Sequence, residues 1–382
     1  MRELVAMLGY RFRLYPPKTC ERKLNRQMAL CRWLYNRLLS ELNLAHEKGI
    51  RLKRTDTQAL IVDIKHEKPE LGEVYSKVLQ MVNHQLWSNI RALAGLKRNG
   101  KRVGRLRFKG EGWFKTLNYN QSGFRLENGR LVLSKIGEIP IKLHRKIEGE
   151  VKGVIVKRER SGKWYAIFQA EDGPEPLQKT NKAVGIDVGI KHFLSDTEGR
   201  QVENPRFYER TLGRIRMRQR QVSKKQKDST NREKARIKLA RAHGKLVNQR
   251  NDFLHKLSHF YVQNYDIIVA EDLNIAGMVK NHSLSQRILD ASWGKFLHAL
   301  SYKAERAGRQ FVKVDPRRTS QEFKHGELDR DYNAALNILE RGPVGLGRPE
   351  PTPVEMGPLL RVPAQAVVAG QVPSLKQEAT GF

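Results

Sequence analysis

Ala183-Val-Gly-Ile-Asp187-Val-Gly-Ile-Lys191 is a short apolar run that ends on an acid and then turns. It reads as a buried strand from Ala183 to Val188, with Lys191 to Ser195 returning as a hairpin through a turn that Gly189 permits. The pattern recurs in Ile267-Ile-Val-Ala-Glu271-Asp-Leu-Asn274, where a strand from Asp266 to Ala270 again meets an acid at its end. A third acid stands in Asp329-Arg-Asp331-Tyr-Asn-Ala-Ala-Leu-Asn-Ile338, at the start of a predicted helix over 331–340. Each has a plain structural reading alone: a strand-end acid, a loop cap, a helix N-cap. Yet an acid closing a buried strand is costly unless a cation or hydrogen bonds meet it. Three carboxylates at one point would repel one another unless divalent cations neutralised them. Hard oxygen donors suit Mg²⁺ or Mn²⁺. Two such ions about 4 Å apart can stabilise both the attacking and the leaving oxygen of a phosphodiester. Asp187, Glu271 and Asp331 are therefore the candidate catalytic and metal-ligating residues.

The charge balance points to the substrate. The 382 residues carry 72 Lys and Arg against 40 Asp and Glu, a formal net charge of +32. A folded protein this basic repels itself without a polyanion partner, and nucleic acid is the leading candidate. A membrane surface fits less well, because the charge is spread along the chain. The length is enough for two or three domains, and hydrophobic residues at 39% allow them sizeable cores. The first residues hold too short an apolar run for a signal peptide, and no segment approaches the roughly 20 apolar residues of a membrane span. The expected place of action is the cytoplasm, on the nucleic acid. Cys20 and Cys31 are the two cysteines. Two cannot build a disulfide framework or a four-cysteine zinc site, and buried free thiols are expected.

The pattern of the chain divides near residue 180. Residues 4–15 alternate as a strand. Leu24, Met28, Cys31, Tyr35, Leu38 and Leu42 then mark one apolar helix face, with Arg22, Lys23, Arg26 and Arg37 opposite. A second helical region covers 73–97. From 100 to 170 short alternating runs follow, among them Arg105-Leu-Arg-Phe-Lys109, Arg130-Leu-Val-Leu-Ser134 and Lys163-Trp-Tyr-Ala-Ile-Phe168, read as strands of a β-barrel or sheet. This gives residues 1–180 as a nucleic-acid-binding α+β domain with a helical insertion over about 18–100. Residues 171–181 read as a linker. An α/β domain over 181–342 follows, with one long basic helical stretch at 211–263, a helix at 293–307 and a strand at 310–314. After Gly342 the chain is rich in Pro, Gly, Ala and Val without a period, and 343–382 is expected to be a mostly disordered tail.

The order Asp, Glu, Asp, with the third acid on a helix, is that of the RuvC and RNase H branch of nucleases. Transposases of the DDE kind run Asp, Asp, Glu instead. From about Tyr10 to Glu340 the chain resembles the TnpB family, transposon-encoded proteins related to type V CRISPR effectors. The resemblance rests on Arg13-Leu-Tyr-Pro16, Arg32-Trp-Leu-Tyr-Asn36, Gly104-Arg-Leu-Arg-Phe-Lys109, Gly185-Ile-Asp-Val-Gly-Ile-Lys191, Asp252-Phe-Leu-His-Lys256, Glu271-Asp-Leu-Asn274, Ser292-Trp-Gly294 and the run from Asp329 to Ile338. It implies a split β-barrel with a helical recognition insertion, followed by an RNase H-like (RuvC) nuclease domain. It implies an RNA guide, cleavage of target DNA beside a short adjacent motif, and catalytic acids at Asp187, Glu271 and Asp331.

One departure stands out. Similar proteins carry a four-cysteine zinc ribbon before the last acidic motif, whereas residues 315–328 here hold no cysteine. His325 alone cannot replace a ribbon, so no zinc is expected, and cleavage is expected to be weakened. The dense basic run Arg214, Arg216, Arg218, Arg220, Lys224, Lys225 and Lys227, with Arg105, Arg107 and Lys109, makes up the expected nucleic-acid contacts. A guide–target duplex would be held there by its shape and backbone. Trp113, Phe114 and Tyr119 are read either as base-stacking residues or as barrel core. The alternative functions are a guided DNA-binding protein or repressor without effective cleavage, and an accessory transposase. A Holliday-junction resolvase would not need the basic N-terminal half.

The charge excess predicts an affinity dominated by phosphate contacts. The logarithm of the nucleic-acid association constant should fall linearly with the logarithm of salt concentration, by about 0.7 to 0.9 per contacted phosphate. A flat dependence in a fluorescence-anisotropy titration would show that the charge serves something else.

Overall fold

The computed structural model describes residues 6–173, 175–317, 319, 329–342 and 359–372. The chain divides into two compact units, Met1–Gly173 and Pro174–Phe382.

The first unit begins with β1 (Ala6–Leu14) and continues through α1 (Lys18–Glu47), α2 (Arg54–Glu67) and α3 (Ser76–Arg98). Strands β2 (Thr116–Asn120), β3 (Phe124–Glu127), β4 (Arg130–Leu133), β5 (Gly137–Lys142), β6 (Glu150–Arg158) and β7 (Trp164–Asp172) complete it. They form one antiparallel sheet in the order β2-β6-β7-β1-β5-β4-β3, so the N-terminal strand lies in the middle. The apolar face of α1 buries Leu24, Met28, Cys31, Leu34, Tyr35 and Leu38. Its start follows Pro16-Pro17, since proline sets an entering backbone but cannot continue a helix backwards. A buried polar chain joins α2 to α3: Trp87 Nε1 donates to Thr57 Oγ1 at 2.9 Å, and Thr57 Oγ1 donates to Asn83 Oδ1 at 2.9 Å. Both cysteines are free and buried, and burial alone pushes the Cys31 thiol up to about 12. The helical region expected at 73–97 is the single helix α3, whereas α2 before it, set off by a short 3-10 turn at Pro69–Glu73, is an element the sequence pattern did not show.

In the second unit β8 (Ala183–Asp187), β9 (His192–Asp196) and β10 (Arg200–Glu203) lead into α4 (Phe207–Ser223) and α5 (Thr230–Asn264). Then come β11 (Ile267–Glu271), α6 (Ile275–Met278), α7 (His282–Ala291), α8 (Trp293–Arg306), β12 (Gln310–Val314), α9 (Arg330–Glu340), β13 (Leu360–Val362) and α10 (Ala364–Ala369). The sheet order is β12-β11-β8-β9-β10-β13, with β12, β11 and β8 parallel. One sheet face buries Val184, Ile186, Ile268 and Ala270 against Phe253 and Leu257 of α5 and Phe296 and Leu300 of α8. On the other, Val269 packs with Ile338 of α9. The long basic helical stretch expected at 211–263 is made of two helices. Ser229 caps α5, its side chain accepting from Arg232 N at 3.1 Å, and Asp228 before it takes a left-handed φ of 64°. A serine cap and a left-handed residue end one helix and begin another whatever the charge around them.

The expectation of a disordered tail is corrected over 359–372. β13 adds in parallel to the edge of β10, pairing Arg200 with Leu360 and Val202 with Val362. Val362, Ala364 and Val367 are buried in the same core as α5. The Ala364 amide donates to Glu203 Oε2 at 3.1 Å. A three-residue strand and a six-residue helix are too short to show a period in sequence, and pairing to an existing edge supplies their order. The rest of the expected tail, and residues 318 and 320–328 with His325, lie outside the described residues. The expected strand at Arg105–Lys109 is corrected too, because residues 101–115 hold no strand.

If the tail is part of the core, Val362→Ala with Val367→Ala should cost on the order of 2 kcal/mol per site. Urea denaturation checks this, and an unchanged midpoint would return the tail to disorder.

Candidate functional site

Asp187 is the last residue of β8, and Glu271 is the last residue of β11. The two strands are parallel neighbours in register, Val269 opposite Gly185 and Ala270 opposite Ile186. One further step sets Glu271 beside Asp187. Side chains alternate along a strand, so Asp187 shares a face with Gly185, and Glu271 with Val269. That is the face on which α9 lies. At Gly185 a Cβ would fall 2.2 Å from the Ala335 carbonyl oxygen of α9. Only glycine lets the helix approach this closely. The same approach brings the first turn of α9, with Asp331, to the ends of β8 and β11. Gly189, beyond the acid, stands where a Cβ would be 3.0 Å from the His192 carbonyl oxygen. Its use is close approach across the turn.

The plain reading of Asp331 as the helix N-cap does not hold. The N-cap is Asp329, whose carboxylate accepts from the backbone amides of Asp331 at 3.0 Å and Tyr332 at 3.3 Å. Gln201 Nε2 also donates to Asp329, at 3.1 Å. The capping work falls to Asp329, and the Asp331 carboxylate is not spent on it.

Asp187 feels the other two acids. Burial first, then the charges of Glu271 and Asp331, push Asp187 up to about 7, while the Val188 amide and Arg330 pull the other way. Burial likewise raises Glu271, opposed by a hydrogen bond from the Thr319 hydroxyl and by the charge of Arg341. Thr319 is buried, and its carbonyl accepts from Asn337 Nδ2 of α9 at 2.9 Å. Sequence reading missed Thr319, which lies in the cysteine-free interval. It also missed Ser195, directly opposite Asp187 in the β8–β9 register. Ser195 is buried, and its hydroxyl has no hydrogen-bond partner among the described residues. Neither residue carries a motif signal, since only the register and the packing of α9 bring them in.

The donor set fits a hard divalent cation: three carboxylates, two of them on neighbouring strand ends, with Glu271 and Asp331 both raising the cost of ionising Asp187. Among the described residues, however, no three His, Cys, Asp or Glu side chains are drawn together as a finished ligand shell. A fourth buried acid, Asp196, is already committed. Its oxygens accept from the Glu198 and Arg200 amides, from Arg200 Nη1 at 2.9 Å and from Tyr261 Oη at 2.8 Å. It ties β9 to β10 and α5 and has nothing left for a ligand.

The expected nucleic-acid residues are mostly exposed. On α4 only Ile215 is buried, and Arg214, Arg216 and Arg220 face solvent, as do Lys224, Lys225 and Lys227 after its end. Arg218 is half-buried. At two-residue spacing these arginines fall on two rows, 214 with 218 and 216 with 220. In the first unit Arg105 and Arg107 are exposed and Lys109 is half-buried. Phe114 and Tyr119 belong to the core, whereas Trp113 is exposed.

Three family models match the chain: "Probable transposase" over residues 155–282, "Helix-turn-helix domain" over 7–51, and "Cas12f1-like, TNB domain" over 293–338. Residues 7–51 hold β1 and the single long helix α1. A protein of Streptomyces pristinaespiralis named "Putative RNA-guided DNA endonuclease" is 32% identical over 361 residues, covering 87% of this chain and 89% of that one. InsQ of Escherichia coli (strain K12), which bears the same description, is 30% identical over 376 residues, covering 87% and 92%. The CRISPR-associated endodeoxyribonuclease Cas12f1 of Sulfoacidibacillus thermotolerans is 24% identical over 221 residues, about half of each chain. In fold, the chain is similar to a cryo-EM structure of a Cas12f1–sgRNA–target DNA complex. That likeness has a TM-score of 0.54 at 11% identity and covers 87% of this chain and 98% of that one.

The raised Asp187 has a signed consequence for stability. Unfolded, it ionises in the ordinary carboxylate range, near pH 4. Folded, it holds its proton up to about 7. Between these limits the folded chain binds a proton that the unfolded chain has released, so stability falls as pH rises through the window. In chelator-treated buffer, Asp187→Asn should match the wild type in urea midpoint near pH 4 and exceed it at pH 8. Parallel profiles would mean that Asp187 is not under this strain.

Proposed function

The chain belongs to the TnpB family, and from that premise we propose that it is an RNA-guided DNA endonuclease that cuts phosphodiesters at Asp187, Glu271 and Asp331. The observation that carries this reading is the register of β8 with β11. It sets two strand-end acids side by side on the face where α9 delivers a third. In this reading the first unit is a split β-barrel with a helical insertion and the second an RNase H-like (RuvC) nuclease domain. The protein works in the cytoplasm, on nucleoid DNA.

Asp187, Glu271 and Asp331 would hold Mg²⁺ or Mn²⁺. When bound, such ions supply Lewis-acid stabilisation of the reacting phosphate and a water acidic enough to attack it. The protein's own residues prepare for this. Thr319 fixes one oxygen of Glu271, so the carboxylate enters the site in one orientation. Asp329 takes the helix amides and leaves Asp331 available. A cation held there would relieve the repulsion that Glu271 and Asp331 exert on Asp187. The exposed arginines of α4 and the lysines after it track the sugar–phosphate backbone, while base pairing to the guide selects the sequence. No structural zinc is called for.

A rival reading, guided binding without cutting, draws on the cysteine-free interval before Asp329. One experiment separates the two. RNA that co-purifies with the chain is sequenced, and a plasmid carrying the matching target is incubated with the complex and Mg²⁺. Cutting by the wild type, its loss in Asp187→Ala with DNA affinity kept, and a fall of about 10- to 100-fold in Thr319→Val support the endonuclease. Binding without any cutting by the wild type establishes the rival, and wild-type cutting rates in Asp187→Ala remove these acids from the site.

A further inference from the structure

Among the described residues the two most exposed aromatic rings are Phe108, 57% exposed, and Trp113, 68% exposed. They stand five residues apart in the strandless segment between α3 and β2. Looseness of the chain does not account for this. Leu106 packs against the core of the first unit, and Phe114 is buried in it. The side chain of Asn36 grips the backbone of Lys109 from both sides, accepting from its amide at 2.7 Å and donating to its carbonyl at 3.0 Å. The Lys109 ammonium sits 5.5 Å from the Tyr35 ring centroid. The Trp113 amide closes a turn onto the Gly110 carbonyl at 3.3 Å. A Cβ at Gly110 would lie 3.4 Å from Trp113 Cδ1, so the indole rests beside a residue with no side chain. A segment pinned at Leu106, Lys109 and Phe114 thus presents its two large rings to water. Burying either would remove apolar ring surface from water, which ordinarily stabilises a fold.

The surroundings of the rings are cationic. Lys101, Arg102, Arg105, Arg107, Lys109 and Lys115 fall in the segment, against a single acid, Glu111. Interface cores between proteins are depleted of lysine, whereas rings set among cations are how unpaired nucleic acid is held: bases stack on the rings and phosphates meet the charges. We infer that Phe108 and Trp113 form a stacking site for unpaired bases of the RNA this protein carries, with Arg105 and Arg107 on the adjoining phosphates. This rests on the proposed RNA-guided function. RNA is the occupant because a guide keeps unpaired bases at all times, whereas target DNA exposes its bases only while it is opened. A permanently exposed pair of rings matches the permanent ligand.

The test uses the full chain, stripped of RNA at high salt, and measures anisotropy with three probes: a 12-nucleotide oligo(U) RNA, an oligo(dT) DNA of equal length, and an RNA hairpin duplex. Phe108→Ala with Trp113→Ala should weaken oligo(U) binding by at least roughly 20-fold and leave the hairpin within about twofold, because stacking acts on free base faces. Phe108→Tyr with Trp113→Tyr should restore most of the loss, and the urea midpoint should not move in either variant. Arg105→Gln with Arg107→Gln should lower the salt slope for oligo(U) by about 1.4, or 0.7 per lost single-strand phosphate contact. Unchanged oligo(U) affinity in the alanine variant would overturn the inference and leave the rings to a protein partner. So would an equal loss on the hairpin, or a loss confined to oligo(dT). Failure of the broader function reads differently: no RNA co-purifying with the wild type and no cutting. Guide retained at unchanged affinity in the alanine variant, beside a wild type that cuts, sinks the stacking site alone.

Discussion

The contact between α9 and Gly185 governs the second unit. A parallel strand and a helix ordinarily stand apart by the depth of their side chains. Here the absence of a side chain at 185 lets the Ala335 carbonyl enter the space a Cβ would fill. The strand keeps its pairing despite this, since Gly185 exchanges hydrogen bonds with Thr197: its amide with the threonine hydroxyl at 3.2 Å, and its carbonyl with the threonine amide at 3.2 Å. The geometry of the acids follows from this seat. With α9 held low on β8, its first turn reaches the ends of β8 and β11, and Asn337 reaches the Thr319 carbonyl. A larger residue at 185 would lift the helix and carry Asp331 away with it.

The unit handles its buried charge in two opposite ways. Asp196 is buried outright, but every oxygen it has is matched, by two amides, a guanidinium and a tyrosine hydroxyl. That arrangement costs solvation and recovers it through complete hydrogen bonding. At the end of β8, a few residues away in sequence, Asp187 is half-buried and opposed by two further acids. An arrangement of that kind is unfavourable in the protein alone and becomes favourable when positive charge is added. The contrast between a settled carboxylate and an unsettled one, on neighbouring strands of one sheet, is the physical ground on which a cation is proposed at the second.

Positive charge is placed differently in the two units. In the second it rides on α4, where Ile215 is buried and Phe207 packs on the core while Arg214, Arg216 and Arg220 face solvent. In the first it lies on an irregular segment pinned by Asn36, and aromatic rings are set among the cations. A helix studded with arginine offers a regular row of charge, suited to a backbone that repeats. A pinned loop with rings offers faces for single bases. The two surfaces therefore suit different states of nucleic acid.

Much of this was legible in the sequence. The strand ending on Asp187, the strand ending on Glu271 and the helix after Asp329 are local events, written in apolar runs of fixed length and a change of period. The basic helical stretch, though not its division at Asp228 and Ser229, the central helix of the first unit and the buried cysteines follow from the same local rules. What the sequence could not decide was every matter that depends on a neighbour. Whether Asp329 or Asp331 caps α9 turns on which carboxylate the packed helix leaves beside Gln201 and the free amides. Phe108 and Phe114 are the same residue type six positions apart, and only the packing puts one in the core and the other in water. The tail at 360–369 is too short to fold by its own propensity, and it becomes a strand and a helix because β10 offers an unpaired edge. Sequence fixes local periodicity because backbone sterics and side-chain alternation act within a few residues. It leaves caps, edges and exposed rings open because their free energies are set by groups that only the folded chain brings near.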